Sequence, residues 1–135
     1  MKTYKEIAYT YKLVLLGSGG AGKTCFFNRY CFNSFSMNTE LTIGLNFHST
    51  YLNIRVKSDS KTYKRKYVAN SIFDFGGQNR FRPLIPKFIE GASGAFLVFD
   101  SVSYNSFNSL EYWYDLLVKN VGKSIPIILI GSKAD

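Results

Sequence analysis

The chain has 135 residues, of which 46% are hydrophobic and 17% aromatic, enough material for one domain with a real core. No apolar run approaches the ~20 residues that cross a bilayer, and no apolar segment precedes the first strand as a secretory signal would. The net charge is +8, with Lys57, Lys61, Lys64, Arg65 and Lys66 gathered between residues 55 and 67 and Arg80, Arg82 and Lys87 further on. That cluster reads either as a patch for anionic lipid or nucleic acid, or as a solvated hairpin tip, and the tip is favoured. Cys25 and Cys31 are the only cysteines, which points to reduced thiols and a cytoplasmic setting. His48 is the only histidine, so the usual metal or triad clusters have no histidine partner to draw on.

Taken in chain order, Tyr11–Leu16 predicts a strand, and the glycine-rich turn after it leads into a helix from Lys23 to about Phe32. Asn33 to Leu41 is polar and turn-rich, hence a loop. Asn46–Lys57 and Lys66–Phe73 predict the strands of a long hairpin, turned at Ser58-Asp59-Ser60. A short helix fits Arg82–Glu90, with Pro83 near its start and Pro86 limiting its regularity. Gly94–Asp100 is a continuous apolar strand. Ser103 to about Val121 predicts one amphipathic helix, because Phe107, Leu110, Tyr114 and Leu117 recur at helical spacing. Ile125–Gly131 is another apolar strand. Continuous apolar strands alternating with helices predict a doubly wound α/β domain, mostly parallel, with one antiparallel hairpin strand.

Gly17 to Thr24 reads Gly-Ser-Gly-Gly-Ala-Gly-Lys-Thr, directly after a buried strand and directly before a helix. This is the phosphate-cradling P-loop in its required context. Glycines let backbone N–H groups approach a polyanion, and the helix N-terminus points its dipole at the same oxygens. Lys23 supplies a point charge for the outer phosphates, and the Thr24 hydroxyl can ligate Mg²⁺. Three further stretches stand at strand ends. In Asp74-Phe-Gly-Gly-Gln78, Asp74 can hold Mg²⁺ through water, Gly77 can present its N–H to a γ-phosphate, and Gln78 can orient an attacking water. Thr42 can close over Mg²⁺ when a third phosphate is present. In Ser132-Lys-Ala-Asp135, the Asp135 carboxylate can accept both donors of guanine's edge, which adenine does not offer.

With these stretches in place, the chain resembles the Ras superfamily of small GTPases, and the Rab family most closely, from Tyr11 to Asp135. The signatures are Thr42-Ile-Gly-Leu-Asn-Phe47, Gln78-Asn-Arg-Phe-Arg-Pro-Leu-Ile-Pro86, and Phe99-Asp100 ahead of a helix. The resemblance implies GTP and GDP as ligands, with Mg²⁺. It implies a nucleotide site of Ser18, Gly19, Gly20, Ala21, Gly22, Lys23, Thr24, Cys25, Phe35, Thr42, Gly77, Lys133 and Asp135. Metal contacts fall to Thr24, Thr42 and, through water, Asp74; catalysis falls to Gln78 with Lys23 and Gly77. Phe47, Phe73 and Phe88 match an aromatic triad that meets partners. A GTPase-activating protein, an exchange factor and effectors are implied, with no nucleic acid partner. Two other readings stand beside this one: a nucleotide-binding module without turnover, separable by single-turnover hydrolysis, and an ATP-using P-loop enzyme, separable by GTP/ATP competition.

The departures are as specific. Ser132 stands where the family has asparagine, and Gly76 stands where Rab proteins usually have alanine, giving a Gly-Gly pair closer to the Arf family and Gα subunits. The resemblance implies a GTPase domain over residues 1–135 that stops after the base motif, without the family's last helices and strand. Membrane association would then depend on a C-terminal tail outside this sequence or on the basic hairpin.

Overall fold

A computed structural model describes residues 7–32, 45–59, 61–75, 79–122 and 124–133. Its elements alternate: β1 Ile7–Leu16, α1 Lys23–Phe32, β2 Leu45–Lys57, β3 Tyr63–Phe75, a 3-10 turn Asn79–Leu84, α2 Ile85–Ile89, β4 Gly94–Asp100, α3 Tyr104–Asn108, α4 Leu110–Asn120 and β5 Ile127–Ser132. They form one five-stranded sheet in the order β2-β3-β1-β4-β5. β1 runs parallel to β3 and β4, β4 runs parallel to β5, and β2 and β3 pair antiparallel from Leu45↔Phe75 to Lys57↔Tyr63. The expected class, mostly parallel α/β with one antiparallel pair, is the observed one.

The hydrophobic pattern explains why β1 lies in the centre. Val14, Leu15 and Leu16 are each fully buried, and an apolar run buried on both faces fits only between covering layers. Val14 and Leu16 pack with Ile85 and Ile89 of α2 and with Trp113 and Leu117 of α4. Leu15 points the other way, with Phe27 of α1, Ile72 and Val98. The chain leaves β1 toward β3 on one side and returns to β4 on the other. That divergence opens a crevice at the carboxyl end of β1, where ligands of open α/β sheets sit.

Several elements differ from their expected bounds. β1 begins at Ile7 rather than Tyr11, and β3 spans Tyr63–Phe75 rather than Lys66–Phe73. Pairing with neighbours extends β1 over Ile7–Thr10 and β3 over Tyr63–Arg65 through residues whose side chains are exposed, where composition gives little signal, and at its other end β3 runs on through the buried Asp74 and Phe75. The proline-bearing segment starts as a 3-10 turn at Asn79 and is α-helical only over Ile85–Ile89. The single helix expected over Ser103–Val121 is two helices meeting at Ser109. There the Ser109 hydroxyl donates to the Ser106 carbonyl at 2.7 Å, a local bond that competes with regular helix.

Candidate functional site

The turn after β1 is shaped by what its glycines permit. A Cβ on Gly17 would lie 2.2 Å from the Val98 carbonyl oxygen, so the loop runs against the backbone of β4 at a distance only glycine allows. Gly20 and Gly22 adopt φ of +81° and +101°. Ala21 N donates to the Ser18 carbonyl at 3.1 Å and closes the turn, and α1 starts at Lys23.

Lys23 is 4% exposed, and its Nζ spans the loop to the Ser18 carbonyl at 2.9 Å. Burial pulls its pKa down to about 8, while the Asp74 carboxylate works in the opposite direction. Asp74, at the end of β3, is fully buried and accepts a hydrogen bond from Thr24 Oγ1 at 2.8 Å on Oδ2. The β1–β3 register opposes Asp74 to Leu15, which sets the carboxylate beside the first turn of α1. A hydroxyl and a carboxylate together are hard oxygen donors of the kind Mg²⁺ takes, so the residues present fit the metal. Among the described residues no group of three His, Cys, Asp or Glu side chains gathers.

β5 brings in the last stretch. Ser132 Oγ lies 2.6 Å from the Ala21 carbonyl and 3.1 Å from the Phe99 carbonyl. Ser132, which stands where the family has asparagine, thus contacts the loop through its hydroxyl. The loop comes so close to β5 that a Cβ on Gly22 would sit 3.1 Å from the Ser132 side chain, so a hydroxyl reaches. Lys133, with φ of 57°, pairs its Nζ with Asp100 Oδ2 at 2.9 Å.

Sequence reasoning missed two tethers. Ser18 Oγ and Ser109 Oγ lie 2.6 Å apart, so the loop is tied to the α3–α4 junction. Ser109's own proton goes to the Ser106 carbonyl, which makes Ser18 the donor in that pair. Ser106 Oγ in turn accepts from the Asp100 N–H at 2.7 Å. The signal was present as serines at positions 103, 106 and 109, but their spacing does not say which strand end they face.

Cys25 and Cys31 lie on α1 as free thiols, and burial pushes the Cys31 thiol up. Phe47 and Phe73 meet at 4.9 Å between ring centroids, Phe73 stacks on Phe75 at 6.2 Å, and Phe75 reaches Phe88 at 6.1 Å. Phe75, buried at 3% exposure, is the link that the expected triad of Phe47, Phe73 and Phe88 leaves out. Phe47 and Phe88 remain 55% and 42% exposed. Phe35, Thr42, Gly76, Gly77, Gln78 and Asp135 lie outside the described residues.

Comparison with known proteins agrees with this geometry. The family described as "Roc: Ras of Complex, Roc, domain of DAPkinase" matches residues 12–135. The chain is 34% identical over 131 residues to the Ras-related protein Rab-11A of Dictyostelium discoideum, covering 97% of this chain and 57% of that protein. It is 37% identical over 131 residues to the Ras-related protein RABA4d of Arabidopsis thaliana, covering 97% and 55%. It is 36% identical over 130 residues to the Ras-related protein Rab11A of Lotus japonicus, covering 96% and 54%. The chain thus spans about half the length of the curated relatives it matches.

Proposed function

Because the chain belongs to the Ras-of-Complex family of Ras-like GTPase domains, we propose that it is a Rab-like molecular switch that binds GTP and hydrolyses it to GDP with Mg²⁺. The observation that carries this reading is the pair of buried charges Lys23 and Asp74, with Thr24 bonded to Asp74, at the mouth of a glycine-rich loop. A cation held in a dry site is poised for a polyanion, because desolvation makes its charge worth more to an incoming phosphate than to water. Lys23 exchanges the Ser18 carbonyl for phosphate oxygen, and the loop's N–H groups share the load. Thr24, Thr42 and, through water, Asp74 would hold Mg²⁺, which would supply positive charge against the phosphates. Gln78 orients the attacking water and Gly77 fixes the γ-phosphate through its N–H. Phe35, Lys133 and Asp135 enclose and read the guanine.

Neither the loop nor the Asn33–Thr42 segment contains arginine, so a partner supplies that cation in trans and the intrinsic rate is slow. A GTPase-activating protein, an exchange factor and effectors complete the cycle, in trafficking or signalling. Gln78→Leu keeps the side-chain volume and loses the hydrogen bond to water. Stimulated hydrolysis should fall by at least ~100-fold while GTP affinity holds. Single-turnover hydrolysis with and without an activating partner checks this. Wild-type stimulated turnover in the variant would exclude Gln78 as the water-positioning group, and equal affinity for ATP and GTP would exclude the guanine switch itself.

A further inference from the structure

The β2–β3 hairpin continues past the last described pairing with β1, Ile7↔Tyr67, as a two-stranded ribbon over Ile54–Lys57 and Tyr63–Lys66. Its register sorts the charges. Arg55 stands directly opposite Arg65, and Lys57 opposite Tyr63, on the face that also carries Phe47 and Phe73. Lys64 and Lys66, opposite Val56 and Ile54, occupy the other face, and Lys61 stands at the tip. Like charges directly opposed across a ladder destabilise it, so this ribbon holds a cost that an external anion would relieve.

Nothing within the described chain relieves it. From Leu41 to Phe73 the only acidic residue is Asp59, and its Oδ1 is taken up by the N–H groups of Lys61 and Thr62, both at 2.9 Å. The one ion pair among the described residues is Lys133 with Asp100, at the opposite end of the sheet. Ser58 N donates to the Thr62 carbonyl at 3.0 Å, which with the Asp59 contacts fixes the tip in place.

We propose that this ribbon is a docking surface for an anionic lipid bilayer, meeting the membrane end-on. Two observations favour a bilayer over nucleic acid. The cations lie on both faces and at the tip, so a plane approached end-on is met by charge from every side of the ribbon. Two tyrosines beside them each carry a cation over one ring face: Arg55 lies 4.9 Å over the Tyr63 ring and Lys66 lies 5.6 Å over Tyr9. That leaves less of each ring open to a stacked base. Near the tip Tyr63 is 56% exposed beside Arg55 and Lys57, a side chain suited to the interfacial layer below the headgroups. From Tyr63 to Asp74 β3 runs eleven residues, about 36 Å of strand, so the surface lies at the far pole from the phosphate loop. It is independent of the nucleotide reading.

The test is co-sedimentation of the full chain with phosphatidylcholine vesicles, with and without about one third phosphatidylserine. The chain should pellet with the anionic vesicles only, and should be released between about 0.1 M and about 0.5 M salt. Changing Arg55, Lys57, Lys64 and Arg65 together to Gln should lower partitioning by at least ~100-fold. The charge-keeping pair Arg55→Lys and Arg65→Lys should partition like the parent, which separates charge from any folding defect. Equal binding to neutral vesicles, or full binding by the Gln variant, overturns the proposal. Tighter capture of a duplex or single-stranded DNA oligonucleotide than of anionic vesicles overturns it too, and assigns the ribbon to nucleic acid.

Discussion

At the level of single residues the site is defined by an unfavourable act, the burial of Lys23. A lysine whose pKa is brought down to about 8 by desolvation is charged in both folded and unfolded chains below that pH, and there the full cost of burying the cation is present. Between about 8 and about 10.4 the unfolded chain holds a proton that the folded chain has released, so stability from this group rises with pH across that window. Phosphate reverses the balance by favouring the ammonium. Binding of GDP at about pH 8.5 should therefore take up more than half a proton per nucleotide, read by calorimetry in buffers of different ionisation enthalpy. Lys23→Met should abolish the uptake and weaken affinity by roughly 100-fold; uptake that survives the substitution would place the titrating group elsewhere. Ser132 offers a second check. Ser132→Ala leaves the Ala21 carbonyl without its 2.6 Å contact, and a bond worth about 1 kcal/mol implies about fivefold weaker nucleotide binding with little change in stability. Unaltered affinity would mean the loop holds its shape without β5.

Among the elements, the break between α3 and α4 is the informative one. Sequence periodicity runs through it undisturbed, and Ser109 keeps helical backbone angles while its hydroxyl bonds the Ser106 carbonyl and receives Ser18 from the phosphate loop. Ser109→Ala removes both hydrogen bonds of that hydroxyl and gains helix propensity, so the melting free energy should fall by about 1–2 kcal/mol. The loop loses its tether, and nucleotide dissociation should accelerate several-fold, read with a fluorescent guanine nucleotide. A dissociation rate that does not move would reduce the contact to packing. Arg82 does related work beside it: its guanidinium lies 4.7 Å over Tyr112 and 5.1 Å over Trp113, which anchors the 3-10 turn to α4. Neither contact is legible in the chain order, because each joins residues about thirty or more positions apart.

Across the whole molecule, the sheet joins two poles: the phosphate loop at the carboxyl end of β1, and the basic ribbon at the free end of β2–β3. Between them the rings of Phe47, Phe73, Phe75 and Phe88 form a continuous chain from β2 to α2. As a partner surface responsive to the nucleotide, this chain predicts that Phe47→Ala removes capture of partners by GTP-loaded protein while nucleotide binding persists. Partners retained equally in both nucleotide states and in the variant would leave the aromatics as core. Much of this molecule was written in its sequence. The run Lys12–Leu16 followed by Gly-Ser-Gly-Gly-Ala-Gly-Lys-Thr dictated a buried strand, a phosphate loop and a helix, because backbone conformation and local charge are short-range properties. The Lys23–Phe32 helix and the Gly94–Asp100 strand follow from local pattern in the same way. What only the tertiary structure decided is which distant groups meet: the Thr24 hydroxyl with Asp74, Ser132 with the loop carbonyl, Ser18 with Ser109, and Arg55 across from Arg65. Those meetings depend on strand register and on how the layers pack, and register is a property of two segments that neither segment carries alone.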